Sequence, residues 1–188
     1  MDEVPNTADL IDSVERSKLA KIVEGYTFKY NTTNDLPFKF YAEINIDNSS
    51  LWNLFKAIVL HLPEEISLIF NHADEEANYG KYLNKHSVLN TIDKYETELT
   101  QDCFLEYGAI HQTTDSLEEI FVDCTKYIKY WGIDEQWFRT IMNEFNLFEI
   151  PDLNFIDEFP KVREALRLHK SDTIETAEVI KQLKTVFI

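Results

Sequence analysis

Glycine and proline are scarce: the 188 residues hold four glycines and five prolines. That leaves no low-complexity linker able to divide the chain, and it removes whole classes of chemistry. An α/β-hydrolase carries its nucleophile in a GxSxG turn, and phosphate-cradling loops are built on GxxxxGK(S/T) or GxGxxG; the sequence contains none of them. Cysteine is nearly absent too. Cys103 and Cys124 fit neither a CxxC redox pair nor a zinc knuckle. Each reads as a buried free thiol inside an apolar strand, in a reducing compartment. The five histidines make no HExxH or HxH pattern. His72 with Asp74, Glu75 and Glu76 comes nearest to a ligand set, but that run reads as a loop, without ligands at helical or strand spacing. No metal and no cofactor is expected.

Basic residues are the other deficit, 18 against 34 acidic ones, for a net charge of −16. Nucleic-acid binding needs Lys and Arg to neutralise phosphates, so the expectation is no nucleic-acid partner. An anionic membrane surface is disfavoured for the same reason. No apolar run approaches the roughly 20 residues that cross a bilayer. The first residues, "MDEVPNTADLIDSVERSKLAK", lack the basic start and apolar centre of a secretory signal. A soluble, cytoplasmic protein is expected.

Apolar residues, by contrast, are plentiful. Hydrophobic side chains make up 44% of the chain and aromatics 13%, enough to fill a core. The expectation is one domain over 1–188, with 1–9 disordered and a helical C-terminal part over 133–188. The negative charge is uneven. Between Glu96 and Glu158 there are 15 acids and three bases (Lys126, Lys129, Arg139), a net −12 that leaves −4 for the rest. One third of the sequence thus holds three quarters of the charge. Such a field either keeps a surface solvated or attracts a cationic partner, speeding encounter and rejecting acidic competitors.

Periodicity supplies the elements. Residues 10–24 predict an amphipathic helix with Leu10, Val14, Leu19, Ile22 and Val23 on one side, ended by Gly25. "YTFKYN" and "PFKFYAEINID" alternate at period two around an "NTTND" turn and predict an antiparallel hairpin; Phe40, Ala42 and Ile44 share one face, Tyr41, Glu43 and Asn45 the other. In "NSSLWNLFKAIVLHLP" the period changes to that of a buried helix, stopped by Pro63, with His61 at its end. "EEISLIFNHA" predicts a third strand, "DEEANYGKYLNK" a polar loop and "SVLNTIDKYETELTQD" a helix. "CFLEYGAIHQT" and "LEEIFVDC" predict a central strand pair, apolar on both faces, with "TKYIKYWG" extending the second strand or forming another. Gly108 marks a bulge or a close backbone approach. Helices are predicted at "DEQWFRTIMNEF", "KVREALRLH" and "TIETAEVIKQLKTVF", with an irregular run between the first two. The class is α+β: a mainly antiparallel sheet with packed helices and a helical C-terminal third.

The stretch "SLEEIFVDCTKYIKYWG" gathers acids and aromatics and invites a catalytic reading. Adjacent Glu118 and Glu119 point to opposite faces of a strand, so they make no carboxylate pair by themselves; a glycosidase would need a second acid such as Glu106 or Asp123. Cys124 lies among acids, which raise a thiol pKa and blunt a nucleophile. Packing on one face while presenting acids and aromatics on the other suits the stretch better, Tyr and Trp being favoured in interfaces. The segment "FLEYGAIHQTTDSLEEIFVDCTKYIKYW", with its strand pair, its "EEIFV" and "KYIKYW" and its acidic balance, resembles small bacterial immunity proteins of polymorphic-toxin and contact-inhibition systems. The resemblance implies a non-enzymatic, charge-guided inhibitor of a basic protein partner, such as a nuclease toxin. Expected contacts are Glu118, Glu119, Asp123, Asp134, Glu135, Asp157 and Glu158, with Tyr127 and Trp131 as anchors. A structural or adaptor module, and a carboxylate-pair hydrolase, are the alternatives.

Overall fold

The strict alternation of "FYAEIN" is realised as strand β2 (Phe40–Asn45) in the computed structural model, which describes residues 7–20, 22–33 and 35–188. It pairs with β1 (Gly25–Tyr30) as the expected hairpin. Helix α2 (Asn48–His61), capped by the Asp47 carboxylate on the Ser49 N–H, then carries the chain across to β3 (Glu65–His72). Two two-residue strands, β4 (Asn78–Tyr79) and β5 (Leu83–Asn84), fold back on β3 where a polar loop was expected. The single helix predicted next is broken into α3 (Lys85–Ile92), a 3-10 turn (Asp93–Tyr95) and α4 (Glu96–Gln101). Strands β6 (Leu105–Gln112), β7 (Leu117–Val122) and β8 (Ile128–Gly132) then return as a meander. They fill the space between β2 and β3, giving the order β1-β2-β8-β7-β6-β3-β4 with β5 on β3 and every paired strand antiparallel. The fold is α+β, with helix α5 (Glu135–Glu144) and the C-terminal helix α6 (Thr176–Phe187) completing it.

The helices bury one face of the sheet. Phe40, Ala42, Ile44, Ile120, Val122, Ile128 and Tyr130 point to that side and join Trp52, Phe55, Tyr95, Phe138 and Phe187 in one continuous core. At about 25 cal/mol per Å² of apolar surface, this layer is the main source of stability. Among the described residues the other face carries two small clusters, Ile69–Ile110–Leu117 and Tyr127–Leu153–Phe155.

Several sequence expectations fail for identifiable reasons. Helix α1 spans Thr7–Ser17, not 10–24, and of the expected apolar side Val14, Leu19, Ile22 and Val23 are exposed instead of packed, while the Leu10 side chain lies outside what the structure describes. Of the segment expected to be disordered, residues 7–9 are helical and 1–6 lie outside the described residues. The helix expected at 161–169 is reduced to a 3-10 turn, Leu166–Leu168. Cys103 and Cys124 are free but only partly buried, and both sit in turns at strand ends.

Candidate functional site

On the face without helices, strand register lines side chains into rows. Tyr41, Trp131 and Glu119 form one row across β2, β8 and β7. Glu43, Lys129, Phe121, Gly108, Ile69 and Tyr79 form the next, from β2 to β4. Because the side-chain period in a strand is two, these residues share the outer face while Ala42, Tyr130 and Ile120 enter the core. The chain after α5 closes one end of this surface. Tyr26 N–H donates to the Phe148 carbonyl and Ile150 N–H to that of Tyr26. The backbone then crosses the sheet, where the Asn45 amide donates to the Asn154 carbonyl at 2.9 Å and the Tyr127 hydroxyl to the Asp157 carboxylate at 2.9 Å. The result is a recess of about 640 Å³ bounded by Tyr41, Trp131, Phe121, Ile69, Tyr79 and Tyr127, with Glu43, Glu119, Asp157 and Lys129 among them.

The electrostatics of the recess are lopsided. Its one ammonium, Lys129, donates to Asp123 at 2.9 Å and lies over the Tyr127 ring. Asp123 also accepts from the Thr125 N–H and hydroxyl; burial opposes its ionisation, but these donors and Lys129 together hold its pKa below the usual value. Glu119 has no such help. Among the described residues it accepts no hydrogen bond and forms no ion pair, and burial alone raises its pKa. Tyr41 and Tyr127 are likewise pushed up, first by burial and then by Glu43 and Asp123 respectively, so both phenols stay protonated.

Of the nine sequence-predicted contacts, Glu119, Tyr127, Trp131 and Asp157 meet in this recess, with Asp123 beneath its rim. The others do not. Glu118 turns into the core, 4% exposed, because β7 alternates and Glu119 takes the outer side. Asp134 caps α5 through the Trp137 N–H. Glu135 is tied to Arg139 and to the Tyr30 hydroxyl, which together hold its pKa low. Glu158 accepts from the Phe155 N–H and the Asn154 amide. Nor does the acidic segment form one patch: Glu98 accepts from the Ile174 N–H and Asp102 from the Thr176 hydroxyl, both buried and anchoring the approach to α6. Tyr41, Glu43 and Phe121 were missed as site residues, although the alternation of β2 had already placed Tyr41 and Glu43 on one face.

A second cluster lies beside the recess. Ligand atoms of Glu106, Asp123 and Cys124 are within 4.8 Å of one another. Internal donors already engage them: Glu106 accepts from the Asn71 amide at 2.6 Å and the Cys124 N–H at 3.2 Å, and Asp123 is engaged as above. Burial and the Asp123 carboxylate push the Cys124 thiol up to about 12, which keeps it a poor nucleophile. The His72 ring bonds the Ala73 carbonyl, while Asp74 pairs with Arg163.

Glu118 carries a stability prediction. It lies opposite His111 in register and beside Tyr130; its Oε2 and the Tyr130 hydroxyl are both buried and outside hydrogen-bond geometry. Burial raises its pKa and Asp134 adds to the rise, while His111 and the adjacent Tyr130 hydroxyl partly offset it. The native state therefore holds the proton at pH values where the unfolded chain has released it. The contribution of Glu118 to stability is thus most favourable below the ordinary carboxylate range and declines as pH rises through that range to the raised value. Glu118→Gln removes the buried charge and keeps the shape. Its thermal midpoint should exceed the parent's by about 2–4 °C at pH 8, with the difference gone at pH 4. A loss of stability at pH 8 that shrinks at pH 4 would mean that the ionised carboxylate is stabilising.

Among the described residues no helix is long and apolar enough to cross a membrane. Compared with family models, curated proteins and solved structures, the chain matches none of them.

Proposed function

We propose that this chain is a non-enzymatic protein-binding protein, an immunity-type inhibitor that docks the open face of its sheet on a basic protein partner such as a nuclease toxin. One observation carries the reading: the sheet face left bare by the helices holds a recess that presents aromatic side chains around Glu43, Glu119 and Asp157, and the ammonium within that recess, Lys129, is already engaged. Aromatics held on paired strands lose little entropy on binding, and carboxylates around them select a cationic surface. The carboxylates at Glu106 and Asp123, by contrast, are engaged by internal donors, which argues for positioning the β7–β8 turn over acid–base work.

Trp131, packed on Tyr41 at 4.9 Å between ring centroids, is the central anchor. Trp131→Ala should weaken partner binding by about 2 kcal/mol, roughly 30-fold, measured by calorimetry on a basic partner captured from the native host. The affinity should fall as salt is raised. A captured partner of net negative charge, or one bound equally by Trp131→Ala and by a charge-reversed Glu119→Lys/Asp157→Lys variant, would overturn the reading.

A further inference from the structure

Resting on that reading, we infer that the recess is a socket for a single arginine side chain of the partner, its guanidinium paired with Glu119 and stacked on Trp131. Glu119 is the reason for choosing this occupant. It is partly withdrawn from water, and among the described residues its carboxylate has no hydrogen bond or ion pair to offset that loss. Its register neighbour across β7 and β8 is Trp131, whose ring packs on Tyr41. A carboxylate beside an aromatic wall matches a planar cation, which donates two parallel N–H bonds to the acid and lays its face on the ring.

Arginine fits this better than lysine. A guanidinium is weakly hydrated and stacks, whereas an ammonium is a strongly hydrated point charge. The apolar floor of Phe121 and Ile69 accommodates a methylene stem. Charge complementarity points the same way. Glu43 and Asp157 flank the space, and Lys129 is turned to Asp123 and does not neutralise Glu119. The molecule's own four arginines are engaged elsewhere, Arg16 with Asp12, Arg139 with Glu135 and Glu149, Arg163 with Asp74 and Arg167 with Glu175.

The test titrates the full chain with a capped Gly-Gly-Arg-Gly-Gly peptide, followed by NMR at the Trp131 indole and the Glu119 and Tyr41 amides. The lysine and citrulline versions of the peptide are run beside it. The arginine peptide should give saturable shifts confined to the recess, the citrulline peptide should bind about 10-fold more weakly, and Glu119→Gln should cost the arginine peptide about 10-fold. Unchanged spectra outside the recess establish that this variant is folded, and Trp131→Leu, which keeps an apolar side chain but no ring, should lose the preference for arginine over lysine. Equal binding of citrulline, shifts centred elsewhere, or an unaffected Glu119→Gln would overturn the socket. The docking face is judged separately by partner capture. If Trp131→Ala abolishes capture while the peptide does not bind, only the socket falls. If the peptide binds as described while capture ignores Trp131→Ala, the socket stands and the docking reading falls.

Discussion

Phe138→Ala is expected to lower the unfolding free energy by about 4 kcal/mol, the middle of the range for emptying a buried phenylalanine site. Phe138 is fully buried and is the point at which α5 meets the sheet. Its ring lies 5.2 Å from Tyr26, 5.9 Å from Phe28, 5.1 Å from Phe40 and 5.7 Å from Tyr130, with geometries from stacked to edge-on. These partners belong to β1, β2 and β8, three consecutive strands of the sheet. Four rings cannot collapse onto a methyl without leaving their own contacts, so a cavity remains and adds to the lost transfer energy. Urea unfolding should show the midpoint falling with an unchanged slope. A cost under about 1.5 kcal/mol would mean that α5 repacks freely. Because Phe138 lies on the helical side, peptide binding at Trp131 should persist in the folded fraction.

How far the sequence led depends on which physical signal each segment carries. Strand β2 was legible because its alternation is unbroken and one face is polar, so Tyr41 and Glu43 could be assigned to a common face at once. Strand β7 was only half legible. Period two separates Glu118 from Glu119, but apolar residues flank both, Leu117 and Phe121 on one side, Ile120 and Val122 on the other. Which acid faced water was decided by the helices, and no local pattern records that. Register was also beyond reach: the row Tyr41–Trp131–Glu119 joins residues up to 90 apart in sequence, through a meander inserted between strands made earlier in the chain. The 161–169 run failed for a different reason. It is rich in helix formers, but Val162 is 91% exposed and Leu168 74% exposed, and a short helix without a face to bury has little to hold it. The segment 148–158 has no periodicity at all. Backbone pairing with Tyr26 sets its path, and that path brings Asp157 to the recess.

Charge counting misled in a related way. The excess of acids between Glu96 and Glu158 suggested one outward field, yet Glu98, Asp102, Glu118 and Asp123 are buried. The first two serve as acceptors for backbone and hydroxyl groups ahead of α6, a role that net charge cannot distinguish from a surface one. What separates Glu119 from those two is that, among the described residues, no donor reaches it, and that emerges only once side chains are placed.

The second large effect is expected at Gly108, in the middle of β6. A Cβ added there would overlap the carbonyl oxygen of Ile120 on β7 and lie 3.1 Å from the Phe121 Cα and 3.2 Å from its ring. The first two obstacles are backbone in the central ladder, where strands hold a fixed spacing, so relief requires the β6–β7 pair to part. Gly108→Ala should therefore cost about 3 kcal/mol, at the high end for overpacking by so small a group. It should also disturb the recess, since Phe121 lies over Gly108 and forms part of its floor. A double substitution separates the two possible causes. If the Phe121 ring were the obstacle, adding Phe121→Ala would restore stability. Because the Ile120 carbonyl is the tighter contact, the double variant should be no more stable than Gly108→Ala alone, and hydrogen exchange should quicken at the β6 and β7 amides flanking the site in both. Recovery of stability in the double variant would show that the ring, and not the ladder, sets the requirement for glycine.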